Sequence, residues 1–469
     1  MTVRISDAVQ LFVDDYLVET AEKVSRTFHQ VEKSPQNPVL RGDGPEQEGG
    51  VLVFGSVLHE DDLFKMYYFT ADHSADNWRH QRLVYSKDGL QWERPSLGLI
   101  ELNGSKDNNI VFSYLTHSGF LEGLEPVRDP RPADANKRYR SLFTGGHWSR
   151  DTVSIHKDRP RGMYAAWSPD GLRWGCTDKP IPALGLIAHD RASLMYDTLR
   201  NRWIAFLKDD VTEYDRVRMI SFSDDCETWS PWETLFVGGR DEKGTLKDLY
   251  FNNGFVYGDM YLGQLVEFCQ DPNHPVLDIH LITSRDGRHW ERAPAGGPFI
   301  PVGGSGEWDR FNNQPTSSGP LRIGDQLYFY YSGRTYRHSH QTYSGNDKGE
   351  SNCYVGLATL RIDGFASLDA SFNGGVVTTK PLQFDPGALR VNAKADFGSV
   401  AVEALDVEAK PIPGYTLGEC IPMKADSVDA LIKWQKRDLA RISGNPVRLR
   451  FRLTNARLYS FRIAGDTIQ

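Results

Sequence analysis

One seven-residue pattern recurs four times along the chain. It reads Ser86-Lys-Asp-Gly-Leu-Gln-Trp92, Ser168-Pro-Asp-Gly-Leu-Arg-Trp174, Ser223-Asp-Asp-Cys-Glu-Thr-Trp229 and Ser284-Arg-Asp-Gly-Arg-His-Trp290. The third copy has Cys226 in the glycine place. Arg361-Ile-Asp-Gly-Phe365 is a degenerate fifth copy, with Phe in the Trp place. A repeat on this scale constrains the fold strongly, because each copy must be one supersecondary unit packed on the next. The physics of the motif is local. Asp and Gly set a tight turn, the Ser and Asp side chains hydrogen-bond its backbone, and the Trp packs beneath it.

Two apolar, β-rich runs precede each copy: residues 64–69 and 82–85, 139–143 and 163–167, 202–207 and 218–222, 260–266 and 277–283, then 326–331 and 354–359. A unit of about four strands repeated five times predicts a five-bladed β-propeller. A β-sandwich with similar hairpins competes, but the fixed order of strand, strand and motif favours blades. Aromatic residues make up 12% of the chain, and 43 Gly and 25 Pro supply turns, which fits short strands rather than helices. Composition shifts near residue 370: of 11 tryptophans, only Trp434 lies beyond Trp308. The remainder alternates as strands at 388–391, 399–405 and 447–453 and reads as a small β-sandwich, with a helical turn or two within 426–442. The expected fold class is all-β. Residues 1–44 are an N-terminal segment packing on the propeller, 45–370 the propeller and 371–469 the C-terminal sandwich.

The formal net charge is -8, and no basic run tracks a phosphate backbone, so nucleic acid is not an expected partner. No apolar stretch approaches the length of about 18 residues that a membrane span needs. The first residues, MTVRISDAVQLFVDDY, lack a basic region followed by an apolar one, so a cytoplasmic location is expected. Five scattered cysteines with no CxxC pair argue against a disulfide framework and a zinc site.

A propeller converges the starts of its innermost strands on a central funnel, where site residues belong. Each repeat offers an acid near that position. These are Glu46 and Glu48 in the first, Arg128-Asp129-Pro130 in the second and His189-Asp190-Arg191 in the third. The fourth has Asp248 before Asn252 and Asn253, and the fifth has Glu307-Trp308-Asp309 before Asn312 and Asn313. Converging acids suit glycosidic cleavage, which needs one carboxyl group as proton donor and a second as nucleophile or as base for water. Neighbouring carboxylates raise one another's pKa, which keeps one protonated for the acid role. Asp129, Asp190, Asp248 and Glu48 are therefore the candidate catalytic acids. Arg128, His189, Arg191, Asn252, Asn253, Trp308, Asp309 and Asn312 are candidates for binding sugar hydroxyls and faces. Trp78 and Trp148 lie in loop contexts and could also stack on sugar. The turn acids Asp88, Asp170, Asp225 and Asp286 read as structural, and Asp14 and Asp15 as closing the N-terminus.

The chain resembles the five-bladed propeller glycoside hydrolases of families 32 and 43, which include β-fructofuranosidases and α-L-arabinofuranosidases. The likeness covers residues 45–370 as architecture. Arg128-Asp129-Pro130 matches the Arg-Asp-Pro motif of the fructofuranosidases, whose Asp binds sugar hydroxyls at the transition state. The appended sandwich also fits that group. A Trp-Met-Asn-Asp-Pro nucleophile motif is absent, and so is a clear Glu-Cys-Pro acid motif; the nearest string is Glu267-Phe268-Cys269. The resemblance implies an exo-acting glycosidase on a furanoside, fructosyl or arabinosyl in type, with an oligosaccharide or glycoside as its partner. The chemistry requires no cofactor. An axial metal ion held by funnel carboxylates is compatible with it, as is a homo-oligomer. A glycoside phosphorylase is the alternative, with Arg128, Arg191 and Arg310 as phosphate-binding candidates. A non-catalytic carbohydrate-binding propeller is the third reading. A polar loop carrying His338 and His340 is a candidate lid.

Overall fold

The computed structural model describes residues 2–42, 50–71, 79–113, 120–146, 159–184, 191–210, 216–240, 245–271, 274–338, 353–435 and 437–465. Among them, helical structure is confined to three short 3-10 turns, Ala135–Lys137, Pro182–Leu184 and Leu439–Ile442. The fold is all-β. In the segment where a helical turn or two was expected, strands Asp426–Leu431 and Lys433–Trp434 precede the last of these turns.

The four full motifs form the turns that their residues dictate. Ser86 Oγ accepts from the Gly89 N–H at 2.9 Å, and Asp88 Oδ1 accepts from Leu90 and Gln91 N–H at 2.8 Å each. The same bonds recur at Ser168 with Asp170, Ser223 with Asp225 and Ser284 with Asp286. Gly89, Gly171 and Gly287 take left-handed φ values of 75°, 77° and 70°, which is why glycine recurs there. Cys226 adopts the same conformation at φ 62°, against the preference of a residue with a Cβ. Trp174, Trp229 and Trp290 are buried under their turns.

In the first repeat, Leu63–Ala71 pairs with Arg79–Ser86, flanked by Val51–Leu52 and Val57–Glu60 on one side and Ile110–Ser113 on the other. Tyr139–Gly146 and Gly162–Ser168 form the centre of the second repeat, with Phe120–Glu122 and Val127–Arg128 as its inner edge. The third is a four-stranded sheet, Ser193–Asp197, Arg202–Asp210, Arg216–Ser223 and Glu233–Val237. Strands of the fourth and fifth repeats share one ten-stranded sheet instead of forming two. Their join is the parallel pair Leu277 and Asn312, with the Leu277 N–H donating to the Phe311 carbonyl at 2.9 Å. An unpaired edge that finds a neighbouring strand extends the sheet, so five repeats do not appear here as five separate sheets.

The last repeat meets the first. Tyr330 donates its hydroxyl to the Gly89 carbonyl at 2.8 Å, the Ser317 N–H donates to Gly55 O, and the Val53 N–H donates to Ser332 Oγ at 2.7 Å. Tyr67 joins the first repeat to the second in the same manner, donating to Gly171 O at 3.1 Å. In each repeat the first strand runs antiparallel to the second. The first strands' heads lie toward the far ends of the second strands, as in Val51 with Thr70, Phe120 with Gly146, Ser193 with Phe206, Lys247 with Cys269 and Asn312 with Arg334. The turn motifs sit at the other end.

The N-terminal strands thread mostly through the C-terminal region. Gln10–Leu11 pairs with Ala456–Ala464, Val18–Glu22 with Gly375–Thr379 and Ser25–Phe28 with Ala366–Ala370. Glu32–Lys33 instead borders the fifth repeat at Cys353–Arg361. Phe12, Val377, Val400, Trp434, Phe451 and Phe461 share one apolar core under these sheets. All five cysteines are free thiols.

Candidate active site at the inner strand heads

Arg191 stands where the five repeats meet. Its Nε donates to Glu125 Oε1 at 2.7 Å, and both side chains are only 1% exposed. Its Nη1 donates to Gln314 Oε1 at 3.4 Å and its Nη2 to the Pro315 carbonyl at 3.3 Å. The guanidinium lies between two rings, 4.1 Å from the centroid of Phe54 and 3.9 Å from that of Phe251. Phe54 comes from the first repeat, Glu125 from the second, Arg191 from the third, Phe251 from the fourth and Gln314 from the fifth. A planar cation with five donors and two aromatic-facing surfaces suits such a hub. Arg191 is therefore an enclosed link between repeats rather than a group open to solvent.

A second polar cluster lies at the head of the fourth inner strand, Leu246–Tyr257. Asp248 is 2% exposed. It pairs with Arg216 Nη1 at 2.5 Å and also accepts from the Arg216, Leu249 and Gln270 N–H groups at 3.0, 2.9 and 3.4 Å. A bulge between Leu249 and Phe251 re-aims Tyr250. Lys208 Nζ stands 5.6 Å and the Arg216 guanidinium 5.2 Å from its ring centroid, with the His338 ring 4.8 Å away edge-on. Arg218, fully buried, donates to Asn252 Oδ1 at 2.7 Å and to the Tyr250 carbonyl at 3.3 Å. Asn252, Asn253 and Asn312 are all 0% exposed. Asn253 donates to Gln264 Oε1 and the Thr316 carbonyl, and Asn312 Oδ1 accepts from Gln314. The Nδ2 groups of Asn252 and Asn312 meet no hydrogen-bond partner among the described residues.

Sequence reasoning missed Glu125, Lys208, Arg216, Arg218 and Tyr250. Lys208 and Arg218 were detectable in principle, as charges bordering the apolar runs 203–207 and 219–220.

Other candidates are dispersed. Arg128 and Asp129 lie at the tail of their inner strand, not its head: Arg128 pairs with Tyr139, which faces Ser168 of the turn motif. Asp129 is 3.6 Å from Arg140 Nε, and Arg128 is 3.6 Å from Glu60. The Arg-Asp-Pro triplet thus closes a hairpin at the turn end. Asp309 is 1% exposed and holds Lys33 of the N-terminal segment at 2.6 Å and the Tyr331 hydroxyl at 2.9 Å. Burial and that carboxylate push the Tyr331 pKa up. Trp308 is no open platform. It stacks 5.6 Å from Tyr331, over Gly333 and Gly356, where a Cβ would come within 2.6 and 2.7 Å of its ring. Glu48, His189, Asp190, Trp78, Trp148 and His340 lie outside the described residues.

Glu125 is held by Arg191 and Asp248, at the head of its strand, by Arg216. Burial pushes the Cys353 thiol up to about 12, although Arg334 beside it pulls the other way, which removes it as a nucleophile at neutral pH. Among the described residues, no group of three or more His, Cys, Asp or Glu side chains is placed to hold a metal ion. No helix among them is long and apolar enough to cross a membrane.

No protein-family model matches the chain, and no curated protein does. Solved structures overlap with it in part. A glycoside hydrolase shares 14% identity over 72% of this chain and 92% of its own, with a TM-score of 0.46. An N-acetylgalactosamine deacetylase from F. plautii, in complex with blood group B trisaccharide, shares 15% over 74% and 96%, at 0.44. A β-1,2-mannobiose phosphorylase from Listeria innocua, in complex with β-1,2-mannobiose, shares 10% over 71% and 97%, at 0.47.

Proposed function

We propose that this protein is a carbohydrate-active enzyme, a glycoside hydrolase whose site lies at the shared head end of the inner strands. The observation that carries the reading is the convergence of residues from all five repeats on Arg191, held by Glu125 and Gln314 and flanked by Phe54 and Phe251. On this reading residues 45–370 are a five-bladed propeller, supported by the contact of the last repeat with the first, and 371–469 a C-terminal sandwich. Asp190 directly precedes the axial Arg191, and Glu48 lies just before the first inner strand. They are the pair proposed to supply acid and nucleophile or base, acting from the chain end of a furanoside. The test is turnover of aryl furanosides by Asp190→Ala and Glu48→Ala. A loss of 10³-fold or more in kcat with folding intact is expected; retention of full turnover by both would sink the assignment.

A phosphorylase is the second reading, favoured by Lys208, Arg216 and Arg218 ranged beside Tyr250. Of the arginines expected to hold phosphate, Arg128 lies at the opposite end of its strand and Arg191 is enclosed. Turnover that rises with inorganic phosphate and yields a sugar phosphate would select this reading over hydrolysis.

A further inference from the structure

At the turn end, away from the strand heads, a cleft of about 940 Å³ opens between the fourth and fifth repeats and the C-terminal strands. The degenerate fifth motif forms part of its floor. Asp363 has φ 61°, and its carboxylate does not cap its own turn. It accepts from the Tyr257 hydroxyl at 2.7 Å, the Ser460 hydroxyl at 2.6 Å and Asn392 Nδ2 at 3.2 Å. Those bonds tie the fourth repeat, the fifth repeat and the C-terminal strands into one rigid base.

We propose that this cleft is a second carbohydrate-binding site, separate from the strand heads. Its wall carries both hydrogen-bond donors and acceptors. Arg390 and Arg462 both bond Asp429 at 3.0 Å, and Arg322, Asp325 and Asp7 also line the cleft. Arg462 and Asp429 line the cleft and stay 42% exposed despite pairing. A sugar hydroxyl both donates and accepts, which matches such a wall. An anion would meet the carboxylates, and an apolar ligand would strip water from the ion pairs without replacing it. The volume falls in the range of about 300–1,000 Å³ typical of small-ligand sites.

Native electrophoresis in gels containing arabinan, inulin, mannan or pectin tests this. At least one polysaccharide is expected to slow the wild-type protein. The slowing should persist in Asp248→Asn at the strand heads and fall at least tenfold in apparent affinity in Arg462→Ala and in Asp429→Asn. Turnover of small glycosides should be unchanged in those two cleft variants, which separates failure of this site from failure of the catalytic assignment. Arg322→Ala gives a further check that leaves the Asp429 pair intact. Migration unaffected by all four polysaccharides, or slowing lost only in Asp248→Asn, overturns the proposal.

Discussion

Arg191 and Glu125 form an ion pair 2.7 Å long, with both side chains closed off from water and drawn from adjacent repeats. Removing one partner leaves a buried charge alone, at a cost of about 3–5 kcal/mol. Arg191→Met and Glu125→Leu should each lower stability by that amount in denaturant titration. The double variant should cost much less than the sum. Additive losses would show that the two side chains act independently.

Gly171 tests the turn motif. Its φ of 77° disfavours any side chain, and a Cβ there would lie 2.4 Å from the Tyr67 hydroxyl. Gly98 has φ 67° but nothing within 4 Å of its Cβ position. Gly98→Ala should cost about 1 kcal/mol from backbone strain. Gly171→Ala should cost about 2–3 kcal/mol, because overpacking adds to that strain. Tyr67→Phe in the Gly171→Ala background should recover part of the difference, measured by chemical unfolding.

Lys33 neutralises buried Asp309 and fastens the N-terminal segment to the fifth repeat. Lys33→Met should destabilise by about 2 kcal/mol, as expected for a hydrogen bond to a charged group. Limited proteolysis should then cut within residues 29–42 faster than in the wild-type protein. Unchanged cleavage with unchanged stability would remove Lys33 from this role.

Acid should destabilise the fold in two stages. Burial lowers the pKa of His29 and His280, although nearby carboxylates oppose it. Their folded values lie below the unfolded value of about 6.5, so stability is complete above that pH and declines as pH falls through the folded values. Asp14, Glu60, Asp170 and Asp225 also lie below their ordinary range. Burial raises each, but hydrogen bonds and, for Asp14 and Glu60, neighbouring cations outweigh it. Their contribution is present above about pH 4 and lost as pH falls further. Denaturant midpoints at pH 7, 5.5 and 3.5 should fall in that order. His29→Gln should flatten the first step and leave the second.

Local chemistry carried much of what could be read from residues alone. The Ser-x-Asp turns form because side chain and backbone partners lie within three residues, and their Asp residues are structural as expected. The Arg-Asp-Pro triplet misled because a three-residue string carries no information on which end of a strand it occupies. Trp308 looked like a loop platform, yet Gly333 and Gly356, distant in sequence, open the space it fills.

What the sequence determined by itself was the all-β class, the repeated turn and the strands that precede it, since each depends on contacts between near neighbours. Tertiary structure alone decided that Arg191 would be the peg joining five repeats, that Lys208, Arg216 and Arg218 would gather at Tyr250, and that Gln10–Leu11 and Val18–Glu22 would pair with strands more than 350 residues away. Those partners meet only through chain closure. Charge type and strand periodicity are the same whether a side chain ends at the axis, in a hairpin or in solvent.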